Sequence, residues 1–215
     1  MASEMNRTAK NGDCICDLGT GNGIVPLVLS HKLPQSRILG IEVQQSVYEL
    51  ALRNVKHNGL EERIHIMNCN VKEIDELREA DLFGKFGIVT SNPPYTADSC
   101  GIQGGNEAIR IARHEIEGTL DDFVRCASQL LCYRGDFFMV HRPDRLVDIF
   151  TTCRKYRLEP KDLIMVTPKP AGKPNIVLVH CIKDSRAQLK VHPELAVRDD
   201  SGNYTEKVLR AYEKL

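Results

Sequence analysis

The chain has 215 residues, enough for one α/β domain or a domain with a small appendage and too few for two full domains. Hydrophobic residues at 42% and charged residues at 27% lie near the globular average, which excludes a disordered, collagen-like or coiled-coil chain. The 29 Lys and Arg balance the 29 Asp and Glu overall, but residues 1–140 hold 14 against 19 whereas residues 141–190 hold 11 against 5. A basic stretch inside a neutral chain suits either a phosphate-contacting surface or an ordinary solvated face.

A strand is predicted at 14–18, then a helix at 25–32, a strand at 37–42 and a helix at 45–58, where Val47, Leu50, Ala51 and Val55 recur at helical spacing. His57-Asn58-Gly59 reads as the stop of that helix. Further strands are predicted at 64–68, 87–91 and 136–141, with a helix at 120–131 between the last two. This alternation is the signature of a parallel sheet wound with helices. A helix at 144–156 follows, then strands at 158–167 and 176–182 joined by a stretch with three prolines and a glycine. That connection cannot be helical, so the sheet is expected to end in an antiparallel hairpin. Residues 1–189 are read as one domain and 190–215 as a tail with a short helix at 204–214.

No apolar run approaches the ~20 residues of a membrane helix, and the opening MASEMNRTAK lacks the apolar core of a secretory signal, so a cytoplasmic protein is expected. The eight cysteines at 14, 16, 69, 100, 126, 132, 153 and 181 include no C-x-x-C pair and read as buried free thiols. Histidines 31, 57, 65, 180 and 192 show no metal-ligand spacing, and no metal is expected.

Asp17-Leu-Gly-Thr-Gly-Asn-Gly23 follows the first strand and opens the first helix. Its D-x-G-x-G-x-G spacing differs from the dinucleotide fingerprint, and the phosphate-loop lysine is missing. Glycines at 19, 21 and 23 let the backbone turn sharply and leave room for a ligand against the main chain, beside free N–H groups at a helix start. About twenty residues on, Gly40-Ile-Glu42 ends the second strand with a carboxylate suited to the two hydroxyls of a ribose. After the third strand, Asn70 offers an amide for an adenine edge or simply forms a turn.

Asn92-Pro93-Pro94-Tyr95 stands immediately after the fourth strand. The prolines fix the chain, so the Asn92 side-chain oxygen and the Pro93 carbonyl become convergent acceptors for a planar NH₂ group. Tyr95 supplies a face for stacking a base. An exocyclic amine is a poor nucleophile because its lone pair is conjugated; acceptors on its protons help expose that pair and stabilise positive charge developing at nitrogen. With a sulfonium methyl group in line, the remaining catalysis is largely positioning.

These motifs resemble the class I S-adenosylmethionine-dependent methyltransferases that modify amino groups. Residues 17–27, 40–44, 90–95, 112–115, 140–146 and 156–161 together are similar to the bacterial valine-tRNA adenine-N6 methyltransferases. The N-P-P-Y motif alone is shared with the glutamine methyltransferases of peptide release factors; His141-Arg-Pro-Asp-Arg-Leu146 and Tyr156-Arg-Leu-Glu-Pro-Lys161 favour the tRNA family. The resemblance implies a mostly parallel seven-stranded sheet with a C-terminal antiparallel hairpin and helices on both faces. It implies S-adenosylmethionine as cofactor, held by Asp17, Gly19, Thr20, Gly21, Asn22, Gly23, Glu42, Val43, Asn70, Val71 and Asn92. Catalysis is assigned to Asn92, Pro93, Pro94 and Tyr95, and the acceptor is expected to be adenine N6 in the anticodon loop of a valine tRNA.

Arg110, Arg113, His114, His141, Arg142, Arg145, Lys169 and Lys173 are the candidates for RNA contact, and a monomer is expected. Two alternatives stay open: methylation of a protein glutamine, and a non-catalytic RNA-binding remnant. The chain departs from the family where Asn70 replaces a common acidic residue. It departs again before Asp13, where only about a dozen residues stand in place of a longer N-terminal cover; weaker cofactor binding is the expectation.

Overall fold

The computed structural model describes residues 13–93 and 118–213. Five parallel strands form its centre: β1 (Cys14–Leu18), β2 (Arg37–Glu42), β3 (Ile64–Asn68), β4 (Phe86–Ser91) and β5 (Leu131–His141). β6 (Leu158–Thr167) and β7 (Ile176–Lys183) form the expected antiparallel hairpin, giving the order β3-β2-β1-β4-β5-β7-β6.

The central strands β1, β2 and β4 are mostly apolar because both faces of the sheet are covered. One face buries Ile15, Ile38, Ile64, Ile88 and Phe138 beneath α1 (Ile24–Lys32) and α2 (Gln45–His57). The other buries Cys16, Val89, Phe137 and Val179 beneath α3 (Ile74–Glu79), α4 (Leu120–Leu130) and α5 (Leu146–Lys155). Neighbours such as Ile88 and Val89 point to opposite layers, as the period of two requires.

The boundaries have local causes. α2 stops where the reading placed it: Gly59 takes φ +65°, its N–H reaches the Lys56 carbonyl and that of Leu60 reaches Val55, which together make a Schellman stop. α4 starts on a capping box, Thr119 accepting from the Asp122 N–H while the Asp122 carboxylate accepts from Thr119. β5 begins five residues earlier than the apolar pattern suggested, since Leu131 already pairs with Phe86. The register then shifts, with Arg134 at φ +64°, and regular pairing resumes at Asp136. The helix expected at 144–156 opens as a 3₁₀ turn, Pro143–Arg145, before α5.

Among the described residues the sheet carries nine strands, two more than the seven expected. Two-residue strands β8 (Lys190–Val191) and β9 (Leu195–Ala196) add in parallel to the outer side of β6. Residues beyond 190 are therefore stitched to the sheet, and α6 (Glu206–Glu213) ends against α1, where Lys32 Nζ donates to the Ala211 carbonyl at 2.8 Å. Among the described residues all seven cysteines are free, and no helix is long and apolar enough to cross a membrane.

Candidate active site

The carboxyl ends of β1, β2 and β4 converge on one cleft. The glycine turn after β1 is folded back onto β2, with the N–H groups of Gly19 and Thr20 both donating to the Ile41 carbonyl at 2.9 and 3.0 Å. Gly19, Gly21 and Gly23 all take positive φ, which an L side chain rarely tolerates. Asn22 Oδ1 accepts from the Ile24 N–H, and Asn54 Nδ2 on α2 donates to the Asn22 carbonyl at 2.8 Å, so the turn is held from a second helix. The sequence reading left Asn54 unassigned because only the crossing of α2 brings it here.

Glu42 closes the turn. It is buried, and its carboxylate accepts from the Gly21 N–H at 3.0 Å through Oε2 and from the Gln44 N–H at 2.9 Å through Oε1. The acid read as a ribose clamp is thus also the tie between the glycine turn and the start of α2. Asn68 fixes the same segment from β3, its Nδ2 donating to the carbonyls of Glu42 and Val43 at 2.8 and 3.1 Å. Asn70 Oδ1 accepts from the Lys72 N–H at 3.0 Å, the turn geometry its sequence allowed.

Asp17 lies beneath the turn. Thr90 Oγ1 on the adjacent strand donates to its Oδ1 at 2.6 Å, across the register pair that joins β1 to β4. Burial pushes this carboxyl up to about 6, against the opposing pull of the threonine hydrogen bonds. One residue on, Ser91 Oγ donates to the Leu18 carbonyl. These two bonds lock the strand from which Asn92 and Pro93 emerge to the strand that feeds the glycine turn.

Gly19, Glu42, Val43, Val71 and Asn92 line the one cleft, with Cys69 and Phe123 as further walls. Burial pushes the Cys69 thiol up to about 12, so it stays a neutral apolar surface. Phe123 on α4 lies under the turn, where a Cβ at Gly19 would stand 3.2 Å from its ring. Nothing local in the sequence marks Phe123 as a cleft residue. Pro93 is buried behind the exposed Asn92. Pro94, Tyr95, Arg110, Arg113 and His114 lie outside the described residues.

The remaining candidates follow the same edge. His141 ends β5 but is buried, and its Nδ1 accepts the Arg142 N–H at 2.8 Å. Burial first, then the nearby Arg145, hold its imidazole below the ordinary histidine range, so it offers a neutral ring. Arg142 pairs with Asp144 at 3.0 Å and Arg145 with Asp148 at 2.6 Å. Val177 pairs with His141 and Val166 with Ile176, which puts the β6–β7 turn, with Lys169 and Lys173 exposed on it, on the edge that carries the cleft.

A carboxylate and a glycine turn on one side of a cleft, with Asn92 on its other side, can hold a nucleoside and present a second group across it. The strand order and the helices on both faces define a class I methyltransferase fold. A crystal structure from Agrobacterium tumefaciens, described as a predicted O-methyltransferase, superposes with a TM-score of 0.79 at 23% identity over 96% of this chain and 91% of that one. Geranyl diphosphate C-methyltransferase from Streptomyces coelicolor, solved with S-adenosyl-L-homocysteine, gives 0.61 at 13% identity over 85% and 79%. Within that class the chain belongs to the methyltransferase small domain family, which matches residues 1–154.

Curated relatives carry a common name, tRNA1(Val) (adenine(37)-N6)-methyltransferase. That of Porphyromonas gingivalis is 31% identical over 164 residues, 75% of this chain and 62% of the relative. That of Pseudoalteromonas translucida is 26% identical over 199 residues, 91% of this chain and 80% of the relative. The chain therefore spans somewhat under two thirds of the Porphyromonas protein and four fifths of the Pseudoalteromonas one.

Proposed function

We propose that this protein transfers a methyl group from S-adenosylmethionine to N6 of an adenine in the anticodon loop of a valine tRNA, at the position its relatives' name specifies, in the cytoplasm. The observation that carries the reading is the placement of Asn92 in the cleft that Gly19 and Glu42 also line. The cleft residues fit the cofactor: the two hydrogen bonds at Glu42 leave about two of a carboxylate's roughly four acceptor directions for ribose hydroxyls. A Cβ at Gly21 would meet nothing within 4 Å, so space stands open above the turn. When bound, the cofactor supplies an electrophilic methyl on a sulfonium.

The chain's own part is positioning and charge stabilisation. Asn92 Oδ1 and the Pro93 carbonyl accept hydrogen bonds from the two N6 hydrogens, turn the nitrogen lone pair toward the methyl group and stabilise positive charge as it develops there; after methyl transfer one N6 proton leaves to solvent. Tyr95 stacks the flipped adenine, which leaves its stack cheaply from a single-stranded loop. Arg110, Arg113, His114, Arg142, Arg145, Lys169 and Lys173 hold phosphates, and His141 contributes shape. Residues 1–189 act as the catalytic domain.

Labelled cofactor offered with unmodified tRNA and, separately, with a peptide release factor tests the acceptor, and mass analysis of the nucleosides should return N6-methyladenosine. Label in the release factor alone would move the reading to protein glutamine. Asn92→Ala should abolish transfer, a loss of at least about 100-fold for a lost charge-stabilising group. Unchanged turnover in that variant would remove Asn92 from the chemistry.

A further inference from the structure

The edge that carries the cleft runs on past the proposed acceptor site to the residues that follow β9. There the main chain is tied to the β6–β7 turn, with Val197 N–H donating to the Thr167 carbonyl at 2.8 Å and Arg198 N–H to the Pro168 carbonyl at 3.0 Å. Arg198 bridges back to Tyr204, and its guanidinium carbon lies 4.5 Å from the centroid of the Tyr204 ring. Tyr212, the next-to-last residue of α6, follows with its ring centroid 6.2 Å from that of Tyr204. Two large rings are thus left in solvent, Tyr204 at 43% and Tyr212 at 59% exposure, next to an arginine plane. Lys169 and Lys173 stand exposed on the neighbouring turn, with no ion pair among the described residues.

Burying an aromatic ring is favourable, so two exposed rings, tilted 49° to each other beside the Arg198 guanidinium and the lysines of the neighbouring turn, call for a flat, anionic partner. Single-stranded RNA is flat in its bases and anionic in its backbone, and bases stack on tyrosine and on arginine planes alike. The cluster starts on the cleft's own edge at Arg198, which follows β9 on the outer side of β6 and so lies about four strand spacings, roughly 19 Å, from β4, and it continues along α6 toward Lys32 at the far end of α1. That separation is a few nucleotides of extended chain.

We propose that Arg198, Tyr204 and Tyr212 form a stacking platform for unpaired bases flanking the methylated adenine, with Lys169 and Lys173 on the adjoining phosphates. The inference rests on RNA being the acceptor, and the residues after 190 then belong to the substrate surface.

The test compares the full wild-type chain with a Tyr204→Leu/Tyr212→Leu variant, which keeps apolar bulk and loses the ring faces, and with Tyr204→Phe/Tyr212→Phe. Binding of an unmodified valine-tRNA transcript is measured with S-adenosylhomocysteine present, alongside melting temperature and cofactor affinity. The leucine pair should weaken RNA binding about tenfold or more with melting, cofactor affinity and salt slope unchanged, and the phenylalanine pair should restore it. Lys169→Gln/Lys173→Gln should instead flatten the salt dependence by about one to two in slope. Equal RNA affinity in the leucine pair, or earlier melting with lost cofactor affinity, overturns the platform. If the wild-type chain labels tRNA and the leucine pair binds it equally, only the platform fails; if the wild-type chain neither binds nor labels it, the function fails as well.

Discussion

Asp17 is a buried carboxyl held at about 6, roughly two pH units above the ordinary aspartate value of 3.8. At about 1.36 kcal/mol per unit, ionising it in the folded chain costs about 3 kcal/mol relative to the unfolded chain. The folded value is raised, so this contribution favours the native state fully below pH ~4 and is lost as pH rises through about 6. Asp17→Asn removes the charge and keeps an oxygen for the hydrogen bond from Thr90 Oγ1. At pH 8 the variant should therefore be more stable than wild type by up to about 3 kcal/mol, some 6–12 °C in melting temperature for a chain of this size. The gain should shrink toward zero by pH 4. The cofactor carries a sulfonium and an ammonium group, and an anion near them helps to hold both. Affinity for S-adenosylmethionine should then fall in the variant that melts higher. Calorimetry at pH 4, 6 and 8, with titration of the cofactor at pH 8, reads both effects. A variant that melts below wild type at pH 8, or a difference that does not change with pH, would refute the argument that burial of a charge governs this position.

Other perturbations read different parts of the same cleft. A Cβ at Gly40 would come within 2.8 Å of Thr20 Cγ2 and 2.9 Å of Ile66 Cδ1, so Gly40→Ala should cost about 1–3 kcal/mol in urea unfolding and loosen the glycine turn enough to weaken cofactor binding. Glu42→Gln turns one acceptor into a donor facing the Gly21 or Gln44 N–H; isothermal titration should show a cofactor affinity at least about tenfold weaker, with stability lower by about 1–3 kcal/mol. His180 lies between Asp136 and Asp162 at 2.7 and 2.8 Å. Burial pulls its value down, but the two aspartate hydrogen bonds prevail and raise it above the ordinary 6.5. Its contribution is full below 6.5 and is lost as pH rises through the raised folded value, so wild-type melting should fall as pH rises above 6.5, and His180→Asn should flatten that decline.

Much of this architecture is written locally. The strands at 14–18, 37–42 and 64–68 have the observed limits because a parallel sheet covered on both faces selects short, mostly apolar segments. The glycine turn and Glu42 were legible for the same reason, since positive φ and a strand-ending carboxylate are properties of single residues. β8 and β9 were not, because a two-residue strand has no period and exists only through Asp162–Leu163 and Val166–Thr167 opposite it. Asn54, Asn68 and Phe123 escaped notice on the same principle. An asparagine or phenylalanine in a regular element carries no mark of function until a crossing element supplies its partner.

His141 shows the converse. Its motif suggested a basic contact, yet the end of β5 buries it beside Arg145, and desolvation leaves it neutral at physiological pH. Residue type is thus a dependable guide where the backbone itself sets the role, and a weak one where solvent access decides charge. Glu42 joins the two cases: its place in sequence announced an acceptor, while its hydrogen bonds to Gly21 and Gln44 make it a structural tie. A substitution there should damage turn and affinity together, and no variant of Glu42 should separate them.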